Sequence, residues 1–473
     1  MGEKISTLAI VIMCLGVGCV WAQNPSDGAV QESVPPSAAL TAEDPPITGL
    51  DQAPLGSSFL SRSFAVFGGH VSEGVDSNVG QTPGGSSLDG ETRAAGSVML
   101  QKFGRNTFSA FDYVGGIVYY PSYQPTLSQV QQVDGEQKFL WRRGQLMFRD
   151  QFSYLPEGNF GYGAFGDTGT TALGLGSIGP TSGVLGAGLG GLFSLVDFGA
   201  LGQTPRINNN ALVEVSQGLS SRSALTATFG YGIMHFTKDS IGLIDSNQIT
   251  AQVGYDHQLT PKTQLAVFYA YQDFQYPNIA GSSFSTQLVS FLYERHFSPH
   301  MQLSLGAGPQ ATIINNAAQY GGSNYRITAT ARAAFRYVFT RTSLSLSYDR
   351  YNTNGSGYFL GATSNILSFA ASRPMTRRWT VTTSVGYSDN QQILPGAVAG
   401  VLPSSTTAFH YVFAGASAQR QMGPSFSLFF NYQFDDLLFN STTCQTGLPC
   451  NSASARNTAS IGIDWHPHPF RLE

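Results

Sequence analysis

Charged side chains make up only 11% of this chain, so the few that recur on one phase of a regular segment carry most of its available chemistry. Arg332 and Arg336 share a phase opposite to Ala333, Phe335 and Tyr337, and Asp349 falls on the polar phase of the segment that follows. Arg149 and Asp435 repeat the arrangement more weakly. Guanidinium and carboxylate groups facing one another across a wet space set up a transverse field, which orders water and sorts solutes by charge. In direct contact the same groups are structural ion pairs inside a wall, and the spacing favours neither reading. Cys444 and Cys450 enclose five residues, and in an oxidising compartment a pair closing so small a loop is most simply a disulfide. Two cysteines with no histidine nearby are half a zinc site, and His466 and His468, split by a proline in a tail, suit solvent better than a metal. The pattern G-x-G-x-x-G occurs at 161–166, 174–179 and 186–191, all in one glycine-rich stretch and none between a strand and a helix, so composition explains it. No phosphate-loop lysine motif, H-E-x-x-H or G-x-S-x-G occurs. No catalytic residue, metal or cofactor is therefore assigned, and the expectation is a protein that is not an enzyme.

The segments that must position those charges are strands. Within Phe284–Gln310 a run ending at Phe297 turns through Ser298-Pro299-His300 and returns with Met301, Leu303 and Leu305 alternating with Gln302, Ser304 and Gly306. Period-2 alternation puts every second side chain on one face, and Ser-Pro presets the reversal, so this is a hairpin. The unit recurs about every 40 residues, with short turns at 219–223, 259–263, 339–343, 375–379 and 421–425. Eighteen strands can be placed between about 61 and 466, among them 61–71, 93–103, 130–141, 144–155, 425–437 and 456–466. Most are 11 to 15 residues long, against about 5–6 for strands of soluble proteins. Alternate links are short, and those between are long and rich in Gly, Ser, Asn and Pro, at 72–92, 156–206, 390–405 and 438–455. In the strand at 425–437, Phe426, Leu428, Phe430, Tyr432 and Phe434 alternate with Ser427, Phe429, Asn431, Gln433 and Asp435. A sheet with one long apolar face and one small polar face is satisfied when the first meets hydrocarbon and the second lines water. In hydrocarbon it must also close, since an open edge leaves N–H and C=O groups unpaired at several kcal/mol each. One residue breaks phase: Asp150 falls in line with Leu146, Phe148 and Phe152, which calls for a bulge or a shifted register.

The remaining composition agrees. A net charge of −4 over 473 residues gives no support to nucleic acid as a partner. Lys4 precedes an apolar run through Val20, and Val20-Trp21-Ala22 fits a signal-peptidase site before Gln23, so 1–22 reads as an export signal. A membrane anchor needs a longer run, and a lipidation box at Leu15–Cys19 has Gly16 where Leu is wanted. Residues 23–58 carry six prolines and no periodicity, a disordered linker or arm; 59–473 is the strand-bearing region.

In its hairpin period, its asymmetric links and the aromatics at the short turns (Trp141, Phe297, Trp379, Trp465), the chain resembles the Gram-negative outer-membrane β-barrel proteins, and among them the porin-like group. The last strand, with Ala459, Ile461, Ile463 and Trp465, is similar to the terminal strand that barrel-assembly machinery recognises, although the chain runs on through His466–Glu473. The resemblance implies an all-β, closed antiparallel transmembrane barrel of sixteen to eighteen strands in the outer membrane lipid, with short periplasmic turns and long extracellular loops. It implies passive diffusion of small polar solutes, with Arg149, Arg332, Arg336, Asp349 and Asp435 as pore-lining candidates. By the same resemblance the 156–206 loop is expected to fold inward and constrict or plug the lumen, a surface patch for a lipid or protein partner or plain disorder being its alternatives. A plugged barrel whose loops bind a surface ligand, or an integral membrane hydrolase with a Ser or Asp beside a His at the rim, are the alternatives. Oligomeric state is open, a trimer being one option.

Overall fold

Alternation decides this architecture, because each strand turns its apolar side chains to one surface and its small or polar ones to the other. The computed structural model describes residues 46–48, 63–79, 87–122, 124–155, 205–237, 243–279, 281–315, 324–355, 357–394, 406–441, 453–465 and 467–472. All belong to the unit Leu40–Glu473. The described elements are β1 (Phe64–Asp76), β2 (Asp89–Phe103), β3 (Thr107–Tyr120), β4 (Gln124–Trp141), β5 (Gly144–Leu155), β6 (Arg206–Gly218), β7 (Ser223–Phe236), β8 (Ser246–Thr260), β9 (Thr263–Gln275) and β10 (Ser283–Ser298). They continue as β11 (Met301–Ile314), β12 (Tyr325–Val338), β13 (Ser343–Thr353), β14 (Ala362–Pro374), β15 (Trp379–Gln392), β16 (Thr406–Gln421), β17 (Phe426–Ser441), β18 (Ala453–Trp465) and the two-residue β19 (Phe470–Arg471). Each strand from β1 to β18 pairs antiparallel with the next, and β18 pairs back onto β1 from Gly69↔Trp465 to Asp76↔Thr458. The sheet is a closed ring of eighteen strands, as the sequence leads one to expect.

The outer surface is apolar along its height: Phe291 and Ile327 are 63% and 67% exposed, while inward Thr286, Thr312 and Thr250 are buried. So continuous an apolar surface has no place in water, and closure removes the edge that lipid could not satisfy. The wall is built to stand in a bilayer, and the fold is that of an outer-membrane barrel. Three outward carboxylates sit toward the long-link ends of their strands, each with a partner. Glu73 accepts from Thr92 Oγ1 at 3.0 Å, Asp273 from Gln275 Nε2 at 2.8 Å, and Asp389 lies 3.1 Å from His410 Nδ1. Asp150, at mid-strand, is likewise outward and partnered. The register is unbroken through β4–β5 and β5–β6, with no bulge, and Asp150 points outward and accepts from Asn209 Nδ2 at 3.0 Å.

Strand ends depart from expectation at charged residues. The strands expected at 61–71 and 93–103 run Phe64–Asp76 and Asp89–Phe103, and that expected at 130–141 begins at Gln124. Asp76, Asp89 and Glu91 look like loop residues in the sequence but are buried on the inner face, where charge is tolerated. The link after β3 consequently shrinks to 121–123, an exception to the long links on that side. The tail after β18 rejoins the sheet: Phe470 pairs with Ala65, and its ring meets Phe67 edge-on at 5.9 Å. The expected export signal, most of the 23–58 arm, the 156–206 loop up to residue 204, and Cys444 and Cys450 lie outside the described residues.

Candidate solute pathway

All five sequence-assigned charges face inward. Arg332 and Asp349 are direct cross-strand partners, with Nε 3.6 Å from Oδ1. Arg336, two inward positions nearer the short link, stands opposite Ser345, and its Nε has no hydrogen-bond partner. Arg149 lies 3.6 Å from Glu136, which also meets Lys138 Nζ at 2.7 Å. Asp435 accepts from the Tyr411 hydroxyl at 2.5 Å and from Gln433 Nε2 at 2.9 Å, opposite Arg456. Arg456 in turn makes a two-pronged contact with Asp76, its Nε at 2.8 Å, stitching the seam where β18 meets β1. The two readings of these charges are therefore divided among them: Arg332 and Arg149 are close to partners, while Arg336 projects into the interior.

The ring adds a relation that the sequence order hides. Arg326, Arg332 and Arg336 share the inward phase of β12. Asp112 of β3 and Asp134 of β4 are direct cross-strand partners on the inner wall, with Glu136 one inward position below. In a ring of eighteen, β3 and β12 are nine strands apart in either direction, so an acidic wall faces a basic one across the full diameter. The heights agree, Arg332 lying six residues from Val338 at the short-link end, Asp112 five from Thr107 and Glu136 five from Trp141. Opposed fixed charges at one level are a transverse field. Arg326, Asp112 and Asp134 were legible by phase alone, and only the ring count gives them their meaning.

At the long-link end the interior is crossed by chain. The β13–β14 link, 354–361, places Tyr358, Phe359 and Leu360 at 1%, 0% and 3% exposure, values of a protein core. Gly355, Gly357 and Gly361 take φ of 85°, 79° and 83°, a left-handed conformation open to glycine at little steric cost. On one side the Gly357 carbonyl accepts from Ile244 N–H at 2.9 Å, and Asn354 Nδ2 donates to Ser246 Oγ of β8 at 3.1 Å. The Tyr276 hydroxyl donates to the Asn354 carbonyl at 3.1 Å. Burial pushes the pKa of that phenol well above its ordinary value, which keeps it a donor. On the other side the Tyr358 ring lies 5.6 Å from Phe409 of β16 and 5.4 Å from Phe439 of β17. Since β8 and β17 are also nine strands apart, the link is a chord across the lumen. Sequence reasoning placed the inward loop at 156–206 and passed over this one, whose signal is an apolar Tyr-Phe-Leu triplet framed by glycines.

A nucleophilic site was the remaining possibility. His70 has Nδ1 2.7 Å from Asp464 Oδ1 and Nε2 3.2 Å from Ser72 Oγ, the connectivity of an acyl-transfer triad. All three residues are buried, and the His70 ring stacks on Phe429 at 4.8 Å. β1 is paired on both sides, so its N–H groups serve the sheet ladder and Ser72 has no backbone oxyanion site beside it. The trio works as a hydrogen-bonded brace across the seam. Among the described residues no group of three or more His, Cys, Asp or Glu could hold a metal ion.

No protein-family model matches the chain, and no curated protein matches it. Solved structures do. Pseudomonas aeruginosa OccK2 (OpdF) is 8% identical at a TM-score of 0.42, over 88% of this chain and 99% of that one. The outer membrane protein opdK of the same organism is 9% identical at 0.42, over 86% and 99%. Acinetobacter baumannii OccAB2 is 10% identical at 0.42, over 88% and 100%. These likenesses are distant. They carry no solute and no site residue over to this chain.

Proposed function

We propose that the protein is a porin-like channel of the outer membrane through which small polar solutes diffuse passively. The observation that carries this is the closed ring of eighteen strands, apolar outside, with acidic and basic inner walls opposed at one level. Barrels of sixteen to eighteen strands enclose a width that water can fill. Solute then moves down its own gradient, and the opposed walls orient dipoles and weigh the charge of what enters. The terminal strand, with Ile461, Ile463 and Trp465 outward, suits it as the segment read by barrel-assembly machinery. Purified protein refolded into planar bilayers should give discrete conductance steps, and verified folding with no conductance would count against a channel. A second reading, a plugged barrel whose exterior links bind a ligand, is favoured by the chord at 354–361. Deleting 166–200 separates the two, since a constricted channel gains conductance where a binding scaffold loses its ligand.

A further inference from the structure

The inner wall of β7 and β8 holds a short piece of the chain's own N-terminal region. Gln252, Gly254 and Asp256 are successive inward positions of β8, and Thr226 of β7 is the register partner of Gly254. Against them lies Pro46-Ile47-Thr48, with Thr48 only 1% exposed. Asp256 Oδ1 accepts from the backbone N–H of Ile47 at 2.8 Å and of Thr48 at 3.1 Å, and Oδ2 accepts from the Thr48 hydroxyl. The Thr48 carbonyl is bound in return by Gln252 Nε2 at 2.5 Å and by Thr226 Oγ1 at 3.3 Å. The hydroxyls of Thr48 and Thr226 are 2.6 Å apart.

Two independent features mark this as a built site. A carboxylate left alone on a buried wall is costly, and here three donors from one segment converge on it. The wall also makes room, since any Cβ at position 254 would overlap the Thr48 side chain. Donors, acceptors and the vacant Cβ position match one stretch of extended backbone with a hydroxyl beside it. Fourteen residues lie between Thr48 and Ser63, a reach of up to about 50 Å, enough to dock here without disturbing β1.

We propose that this wall is a peptide-binding site and that its resident occupant, Pro46–Thr48, is a strap that narrows the lumen from within. Docking is a property of the site itself, while narrowing rests on the channel function proposed above. The test uses the full chain with Thr48→Cys and Thr226→Cys, oxidised after refolding, the 48–226 bond being read by mass spectrometry of a digest. The bond should form readily, and adding Asp256→Ala, which removes the acceptor of the Ile47 and Thr48 N–H groups, or Gly254→Val, whose side chain fills the space of residue 48, should cut its yield about tenfold or more. A yield indifferent to both changes overturns the site. Reducing the bond in a channel carrying Gly254→Val should then raise single-channel conductance above that of the oxidised form, and equal conductance overturns the strap. Absence of conductance in every form would count against a channel and would leave the cross-link yields to decide the site.

Discussion

Gly357→Ala strikes the chord where it is least able to adapt. At φ 79° an alanine meets the left-handed penalty of about 1–2 kcal/mol. Its Cβ would also lie 2.6 Å from Cζ of Phe236, a ring only 3% exposed at the end of β7, so overpacking adds about 1–3 kcal/mol. The docked link is thus weakened by about 2–5 kcal/mol, against about 5–9 kcal/mol gained by burying Tyr358, Phe359 and Leu360. At ~1.4 kcal/mol per tenfold, the ratio of docked to undocked link falls by about thirtyfold to a few thousandfold. Position 357 lies outside every strand, so the barrel should keep its heat-modifiable mobility on gels and its β-rich circular dichroism. Single-channel recording should show a larger conductance with added flicker as the link leaves and returns. Equal conductance and equal noise in wild-type and variant channels would refute the chord as a barrier to solutes.

Three further outcomes follow from the wall. Arg332→Gln removes one inward cation: at about 10 Å in water a unit charge is worth ~0.4 kcal/mol for each sign of ion, so cation over anion permeability should rise about fourfold at low salt, read from the reversal potential in a KCl gradient. Arg456→Met leaves Asp76 buried and unpaired at the seam and should cost about 3–5 kcal/mol; pairing it with Asp76→Leu should recover much of that in denaturant titrations of the detergent-solubilised barrel. Phe470→Ala removes the edge-on contact with Phe67, worth about 0.5–1.5 kcal/mol beyond its buried area, and should speed unfolding in urea while leaving conductance steps unchanged.

How much the sequence discloses depends on whether a residue's role is set by its own strand or by its place in the ring. Phe426 to Asp435 alternate so cleanly that the face of each is evident, and Asp435 and Phe429 lie buried on the inner face as their phase requires. Asp89 and Glu91 mislead because charge ordinarily signals a loop, and a barrel interior is one of the few places where a strand can carry such residues and stay paired to its neighbour. Asp150 misleads for the opposite reason, an outward carboxylate looking like an error until Asn209 on β6 supplies its partner. The opposition of Asp112 to Arg332, and of Ser246 to Phe439, is invisible in any local window because it needs the count of strands between them.

That distinction explains where the apolar material inside the barrel has gone. A lumen lined by charge cannot hold one central hydrophobic core, so inward apolar side chains gather in separate clusters at the strand ends. Phe64, Val66 and Met99 form one near the short links, while Val79, Val118 and Tyr120 form another at the far end. The two largest centre on Phe409 and Phe439 of β16 and β17 and on Phe274 and Phe284 of β9 and β10, and the 354–361 link contributes to both, Tyr358 and Phe359 to the first and Leu360 to the second. Each cluster alone is small, and joined through the chord they bury more apolar surface than either could. The energy that holds the link across the lumen is therefore the same burial that seals these strand ends. Loosening the chord should lower barrel stability as well as raise conductance, and a Gly357→Ala barrel that conducted more without any loss of stability would show that the two clusters do not depend on the link that joins them.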